Sequence, residues 1–252
     1  MTRKIALITG ASRGLGKSAA LHLAAQGIDI IGTYHSKAAE AQAVVALIEQ
    51  LGGRAAMLQL DVSQSTTFDG FVSEIGHTLK SVFAREHFNF LINNAGVGTH
   101  ASFIETTEEQ FDQMVAIHLK GPFFLTQKLL PLIADGGRII NISSGLARFS
   151  LPGYAAYASM KGAVEVLTRY QAKELGARGI SVNTLAPGAI ETDFGGGSVR
   201  DNADINVYVA SNTALGRVGL PDDIGGAIST LLADGSRWIN GQRIEASGGM
   251  FI

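Results

Sequence analysis

Residues 9–16 read Thr9-Gly10-Ala11-Ser12-Arg13-Gly14-Leu15-Gly16, three glycines set between an apolar run at 4–9 and a helical pattern behind it. In that pattern Leu15, Ala19, Ala20 and Leu23 recur on one face until Gly27 ends it. Glycine at a strand-to-helix junction lets the backbone approach a ligand closely, and the unpaired N–H groups and dipole of the helix start attract an anion. Gly10, Ser12, Arg13, Gly14, Leu15 and Gly16 are therefore candidate contacts for a diphosphate. Glycine spacing alone fits a plain turn equally well, so the surrounding chain has to decide.

Outward from this unit the alternation continues. Apolar runs at 28–34, 55–60, 88–93, 138–143, 180–186 and 243–246 are short enough to be buried strands, and helical stretches at 37–51, 68–83, 111–132 and 157–176 lie between them. With the first run they make about seven strands. The pattern predicts an α/β chain with a single-domain, doubly wound Rossmann fold over 1–252: a parallel sheet with right-handed crossovers and helices on both faces. No linker interrupts it. The segment at 194–213, with three consecutive glycines and many polar residues, is expected to be an irregular, mobile lid on the substrate side.

Bulk properties exclude several function classes. A formal net charge of -2 offers no basic field for nucleic acid or anionic lipid, so neither is expected as a partner. The apolar residues 5–8 are too short for a leader or a membrane span, and no run of 18 apolar residues occurs. The chain has no cysteine, which rules out disulfides and thiolate metal sites and suits a reducing, cytoplasmic setting. His22, His77, His87 and His100 lack metal-ligand spacing, and no metal is expected.

In Rossmann folds that bind NAD, an acidic residue at the end of the second strand holds the ribose 2′-hydroxyl. Here that strand ends Thr33-Tyr34-His35-Ser36-Lys37, without an acid. A 2′-phosphate would instead meet Arg13, with Ser36 and Lys37 as further donors, which favours NADP(H). Tyr34 belongs to the same strand end. Asp61-Val62 follows the third strand, where the carboxylate can accept from an adenine amino group or cap the next helix. Asn94, Ala95 and Gly96 follow the fourth strand, beside the expected switch in strand order where such sheets bind ligands.

Ser144 lies just past the fifth strand, and Tyr157 and Lys161 are four residues apart on the following helix. That spacing puts phenol and ammonium on one face, about 6 Å apart along the axis. A nearby cation stabilises phenolate, so the tyrosine is expected to exchange protons nearer neutrality than its ordinary value of about 10. Taken alone, Tyr-x-x-x-Lys describes many helix surfaces.

Thr-Gly-x-x-x-Gly-x-Gly at 9–16, Asn-Asn-Ala-Gly at 93–96, Ser144, Tyr157-x-x-x-Lys161, and Pro187-Gly188 with Thr192 together resemble the short-chain dehydrogenase/reductase family, in particular its 3-oxoacyl-[acyl-carrier-protein] reductase-like members, in order and spacing over essentially the whole chain. The resemblance implies an NADP-dependent oxidoreductase acting on a small-molecule carbonyl or alcohol. Tyr157 would be the acid/base, Lys161 would lower its pKa and bind the nicotinamide ribose, and Ser144 would bond the substrate oxygen. Hydride would pass from the nicotinamide to a carbonyl carbon while Tyr157 protonates the oxygen. Pro187, Gly188, Ile190 and Thr192 would face the carboxamide. A homo-oligomer, with a tetramer favoured, is also implied.

Two positions depart from the family pattern. Where many members carry an asparagine that helps to hold a relay water, this chain has His118, which either takes over that proton path or is merely packed. Ser247-Gly248-Gly249 stands where Asp-Gly-Gly is usual, with an expected effect on packing or a subunit contact. The alternative to an enzyme is a non-catalytic NADP-binding regulatory protein of the same fold. Only His118 favours it; Ser144, Tyr157 and Lys161 argue against it.

Overall fold

The computed structural model describes residues 3–252. Among them, seven strands form one sheet: β1 (Ile5–Ile8), β2 (Asp29–Tyr34), β3 (Ala55–Gln59), β4 (Phe88–Asn93), β5 (Ile133–Ile142), β6 (Ser181–Pro187) and β7 (Arg243–Ala246). All neighbours are parallel, in the order β3-β2-β1-β4-β5-β6-β7. The order reverses between β1 and β4, so their C-terminal ends diverge and open a crevice there. Strand β1 explains why these runs are continuously apolar rather than alternating. Ala6 and Ile8 join one core and Ile5 and Leu7 the other, all fully buried.

Helices α1 (Gly14–Ala25), α2 (Ala38–Gln50) and α9 (Pro221–Leu232) cover the first of these faces. The second is covered by α3 (Phe68–Phe83), α5 (Gly121–Leu129) and α6 (Ala155–Leu175). This is the doubly wound Rossmann arrangement.

Three local features depart from the sequence reading. Strand β5 starts at Ile133, not 138, because a bulge at Asp135-Gly136-Gly137 carries the chain back to pair Ile133 with Phe88. Gly136 has φ 72°, and a Cβ on Gly137 would come within 2.7 Å of the Asn89 carbonyl oxygen. The helical stretch at 111–132 is broken into α4 (Glu108–Val115), a π turn at Ala116–Lys120, α5 and a final 3₁₀ turn. Finally, the segment read as irregular at 194–213 holds two short helices, α7 (Ser198–Asp201) and α8 (Ala203–Ser211). The Asn202 side chain caps α8 by accepting from the backbone N–H groups of Asp204 and Ile205.

Candidate active site

A cleft of about 690 Å³ runs along the C-terminal edge of the sheet, from Tyr34 and Lys37 at one end to Tyr157 and Met250 at the other. Its floor at the switch point is the turn after β1. Thr9 Oγ1 accepts from the N–H groups of Asn94 and Ala95, both at 2.9 Å, and Asn94 Nδ2 donates back to the carbonyls of Thr9 (2.8 Å) and Gly10 (3.1 Å). The Asn94 side chain is thus spent on joining the two loops. Ala95 and Gly96, beyond it, line the cleft.

Two glycines of the turn are required by contact. Gly10 has φ 67°, and a Cβ on Gly16 would lie 2.2 Å from the Gly10 carbonyl oxygen. Helix α1 therefore begins directly against the turn. No side chain caps its N-terminus, and its first turn carries no acid. Its first N–H groups are left without a side-chain partner, Gly14 and Leu15 line the cleft, and Gly16 packs against the turn behind them. Ser12 and Arg13 line the same wall.

At the β2 end, His35, Ser36 and Lys37 are exposed and no carboxylate belongs to that strand end. Asp61 Oδ1 is occupied by the Ser63 N–H (2.9 Å) and hydroxyl (2.7 Å), while its Oδ2 lies 3.7 Å from His35 Nε2. The carboxylate therefore serves its own turn and also faces the cleft beside Val62.

At the opposite end the π turn sets His118. Pro122 has no N–H to give to the His118 carbonyl, four residues back, and its ring crowds that carbonyl, so the helix opens to an i→i+5 turn. The Gly121 N–H bonds Ala116, and Gly121 packs so tightly on Val62 that a Cβ would lie 2.5 Å from its carbonyl oxygen. The imidazole, 1% exposed, donates from Nε2 to the Val97 carbonyl at 2.8 Å. Nδ1 is buried and has no hydrogen-bond partner among the described residues. Burial, reinforced by the Lys161 charge, pushes its pKa down to about 3, so the ring is neutral with Nδ1 as an acceptor.

Ser144, Tyr157 and Lys161 meet at this end. Ser144 follows β5 in an extended conformation, and its Oγ accepts from the Leu146 N–H at 3.2 Å. Lys161 Nζ donates to the Ile142 carbonyl at 2.8 Å and lies 5.5 Å from the centre of the Tyr157 ring. The expected direction of the Tyr157 shift is reversed. Burial raises the phenol above its ordinary range, and the Ser144 hydroxyl beside it offsets only part of that rise. Lys161 is itself buried, and desolvation lowers it to about 7, which weakens its pull on the phenol at neutral pH.

The strand end at Pro187-Gly188 is tied to β7 by the Gly188 N–H bond to the Ala246 carbonyl at 3.2 Å, and Ile190 bridges to Gly219. Thr192 sits over the glycine turn, its Cγ2 3.6 Å from where a Cβ on Gly14 would be. The segment thus lines the cleft between the glycine turn and Tyr157.

The family model described as enoyl-(acyl carrier protein) reductase matches residues 10–251. This chain is a short-chain dehydrogenase/reductase. Among its relatives is the tetrahydroxynaphthalene reductase of Pestalotiopsis fici, 37% identical over 98% of this chain and 91% of the relative. The promiscuous reductase LugOII, which catalyses keto-reduction at C1 during lugdunomycin biosynthesis, superposes with a TM-score of 0.94 at 38% identity, covering 100% of this chain and 99% of the other. The angucycline C-6 ketoreductase LanV, whose crystal structure has bound NADP, gives 0.93 at 35% identity, covering 98% and 95%.

The architecture of this reductase fits a dinucleotide. The helix start has no side-chain cap, the Gly10–Gly16 contact leaves backbone rather than side chain at the turn, and the cleft is continuous from Ser36 to Tyr157. Residues beyond the site candidates read from the sequence also shape it, Phe194 at the start of the expected lid among them. Phe194 lies over Tyr157, ring centroids 5.5 Å apart, and against Gly98. Asp193 pairs with Arg13 at 3.7 Å. Thr9, the first residue of the glycine motif, holds the two loops together. Phe149 and Met250 belong to the far wall, and nothing local in sequence marks Met250. Among the described residues no helix is long and apolar enough to cross a membrane, and no cluster of metal-ligating side chains occurs.

Proposed function

We propose that this short-chain dehydrogenase/reductase uses NADPH to reduce the carbonyl of a small-molecule ketone, with Tyr157 giving the proton. The observation that carries the reading is the meeting of Ser144, Tyr157 and Lys161 at one end of a cleft whose other end offers Arg13, Ser36 and Lys37 to a phosphate. When bound, the reduced nicotinamide supplies the hydride. Burial keeps Tyr157 protonated and so able to donate as charge grows on the substrate oxygen. Because the Ser144 oxygen already accepts from Leu146, its hydrogen is left to point at that same oxygen. Lys161 holds the ribose and, through a water that also donates to His118 Nδ1, resupplies the proton. Gly188, Ile190 and Thr192 hold the carboxamide.

The substrate end is walled by Leu146, Phe149, Leu151, Phe194, Val199 and Met250, while the cations lining the cleft are Arg13, Lys37 and Lys161, all assigned to cofactor. Apolar, partly aromatic walls without a spare cation favour a flat fused-ring ketone over an anionic thioester or sugar phosphate. Relatives that act on hydroxynaphthalene and angucycline skeletons support this. The segment 194–213, which carries Phe194, serves as the substrate lid. Exposed Phe111, Phe123, Phe124, Val166 and Tyr170 on α4, α5 and α6 support self-association, for which a cytoplasmic homotetramer is the reading.

Assaying NADPH oxidation against fused-ring quinones and ketones, 3-oxoacyl thioesters, sugars and steroids tests this directly. Turnover is expected with the fused-ring set, and Tyr157→Phe is expected to abolish it while NADPH still binds. Undiminished turnover in that variant overturns the assignment.

A further inference from the structure

Ser144 can steady a substrate oxygen only if its turn is held in place, and the structure shows what holds it. On one side, Ser143 Oγ donates to Glu165 Oε1 at 2.7 Å. The same carboxylate oxygen receives Arg243 Nε at 2.7 Å, and Arg243 Nη2 reaches the Ser144 carbonyl at 3.4 Å. On the other side, the 3₁₀ turn Gly145–Ala147 ends at Arg148. Arg148 donates to both Glu245 oxygens, at 2.7 and 2.8 Å, and also to the carbonyls of Met250 (2.7 Å) and Phe251 (3.1 Å). Its guanidinium lies over the Phe149 ring, which meets the Phe251 ring edge-on.

Glu245 joins the two clamps. Its Oε2 takes Arg148 Nε and Arg243 Nη1, each at 2.7 Å. Without that carboxylate two guanidiniums would face each other behind the turn. The set is neutral, two arginines against two glutamates, and Glu165 and Glu245 are only 15% and 19% exposed at their side chains. Bidentate, partly buried pairs of this kind fix geometry as well as adding attraction. Burial alone would raise the Glu245 carboxyl, but its hydrogen bonds from Arg148, Arg243 and Ser247 hold it at about 2, ionised across any assay range.

Ser247 extends the brace to the cofactor side. Its Oγ donates to Glu245 Oε1 at 2.8 Å and accepts from the Met250 N–H at 3.3 Å. Its Cβ packs on Gly188, where an added Cβ would come within 2.8 Å of it. A serine at this place donates to Glu245, whereas an aspartate would set a second carboxylate against it.

We infer that Glu245, gripped by Arg148 and Arg243, is a positioning residue that fixes the Ser144 turn from both ends, making the C-terminal segment 245–251 part of the catalytic support. The inference rests on Ser144 acting on the substrate oxygen. It predicts that Glu245→Gln lowers kcat about tenfold with the NADPH dissociation constant unchanged, and that this loss disappears when Ser144 is already alanine, because residues acting through one group are not additive. Arg148→Lys, which keeps the charge but loses the fork, should show a smaller loss with the same cancellation, and it decides the matter if Glu245→Gln does not fold. No loss of kcat, or an equal loss in both backgrounds, overturns the positioning role. Wild-type kcat in Ser144→Ala alone removes the reading of Ser144 first, and the inference with it.

Discussion

The His118 imidazole stands edge-on to the Tyr157 ring, centroids 5.1 Å apart and planes at 89°, with Nε2 fixed by Val97. This contact keeps the ring beside the phenol, and the Val97 bond chooses the tautomer that leaves Nδ1 as a buried acceptor. His118→Leu fills a similar space without an acceptor. Its kcat is expected to fall about 10–100-fold, within the range of acid–base contributions, with NADPH affinity unchanged. His118→Asn, whose amide oxygen can accept, should keep more of the activity. Equal losses in the two variants would show that packing, not acceptance, is what His118 provides.

The same burial makes His118 a determinant of acid stability. Its folded pKa is about 3 against an ordinary 6.5, so between these values the unfolded chain binds a proton that the folded chain does not. The stability it contributes is full above pH 6.5 and is lost progressively as pH falls toward 3. Urea unfolding at pH 7 and pH 4.5 should therefore show a larger drop for the wild type than for His118→Asn. Parallel curves would contradict it.

Lys161 acts in a higher window. Its value of about 7 against 10.5 means that stability rises with pH between these limits, while below 7 the cost of the buried ammonium is carried in full. Lys161→Met removes the titration. The melting temperature of the variant relative to wild type is expected to be highest near pH 7 and to decline steadily toward pH 10. The unpaired Ile142 carbonyl lowers the variant by a pH-independent amount, so the slope is the measurement. A flat difference would rule out the shift.

The sheet was legible in sequence because strands buried on both faces read as unbroken apolar runs, as Ile5–Ile8 does. Motif order likewise brought Ser144, Tyr157 and Lys161 together. What sequence could not carry were effects set by distant packing. The break at His118 needs Pro122 together with the contact between Gly121 and Val62, and a periodicity count passes straight through it. The direction of the Tyr157 shift depends on burial that the local Lys161 does not reveal. Arg148 and Glu245 are 97 residues apart, and nothing near either announces the pair. Glycines 195–197 suggested irregular chain, yet the left-handed turn they make leads directly into α7.

Gly16 offers a steric test of the cradle. An added Cβ would stand 2.2 Å from the Gly10 oxygen and 2.7 Å from Asn94 Nδ2, so Gly16→Ala must push α1 away from the turn. Overpacking of this kind costs about 1–3 kcal/mol, and NADPH affinity should fall more than tenfold as the donors move. Gly70→Ala in α3, where nothing lies within 4 Å, is the control; helix propensity predicts a gain of about 0.5–1 kcal/mol. Wild-type NADPH affinity in Gly16→Ala would mean that the turn does not form the cradle.

Arg13 tests the choice of dinucleotide. Its pairing with Asp193, at 3.7 Å and with both side chains about half exposed, is a surface ion pair worth about 0–1 kcal/mol. Asp193 is itself drawn toward Arg200, at 2.6 Å, and that bond helps hold its carboxyl below the usual range. A 2′-phosphate brings more charge and several acceptor oxygens, so it should take Arg13 from Asp193 at little cost. Fluorescence titration of Arg13→Ala is expected to weaken NADPH about 10–100-fold, as for loss of a charge-assisted bond, and to leave NADH within about twofold. Asp193→Asn should tighten NADPH slightly, and the preference for NADPH should shrink as salt screens the phosphate. Equal weakening of both dinucleotides by Arg13→Ala would place the phosphate elsewhere in the cleft.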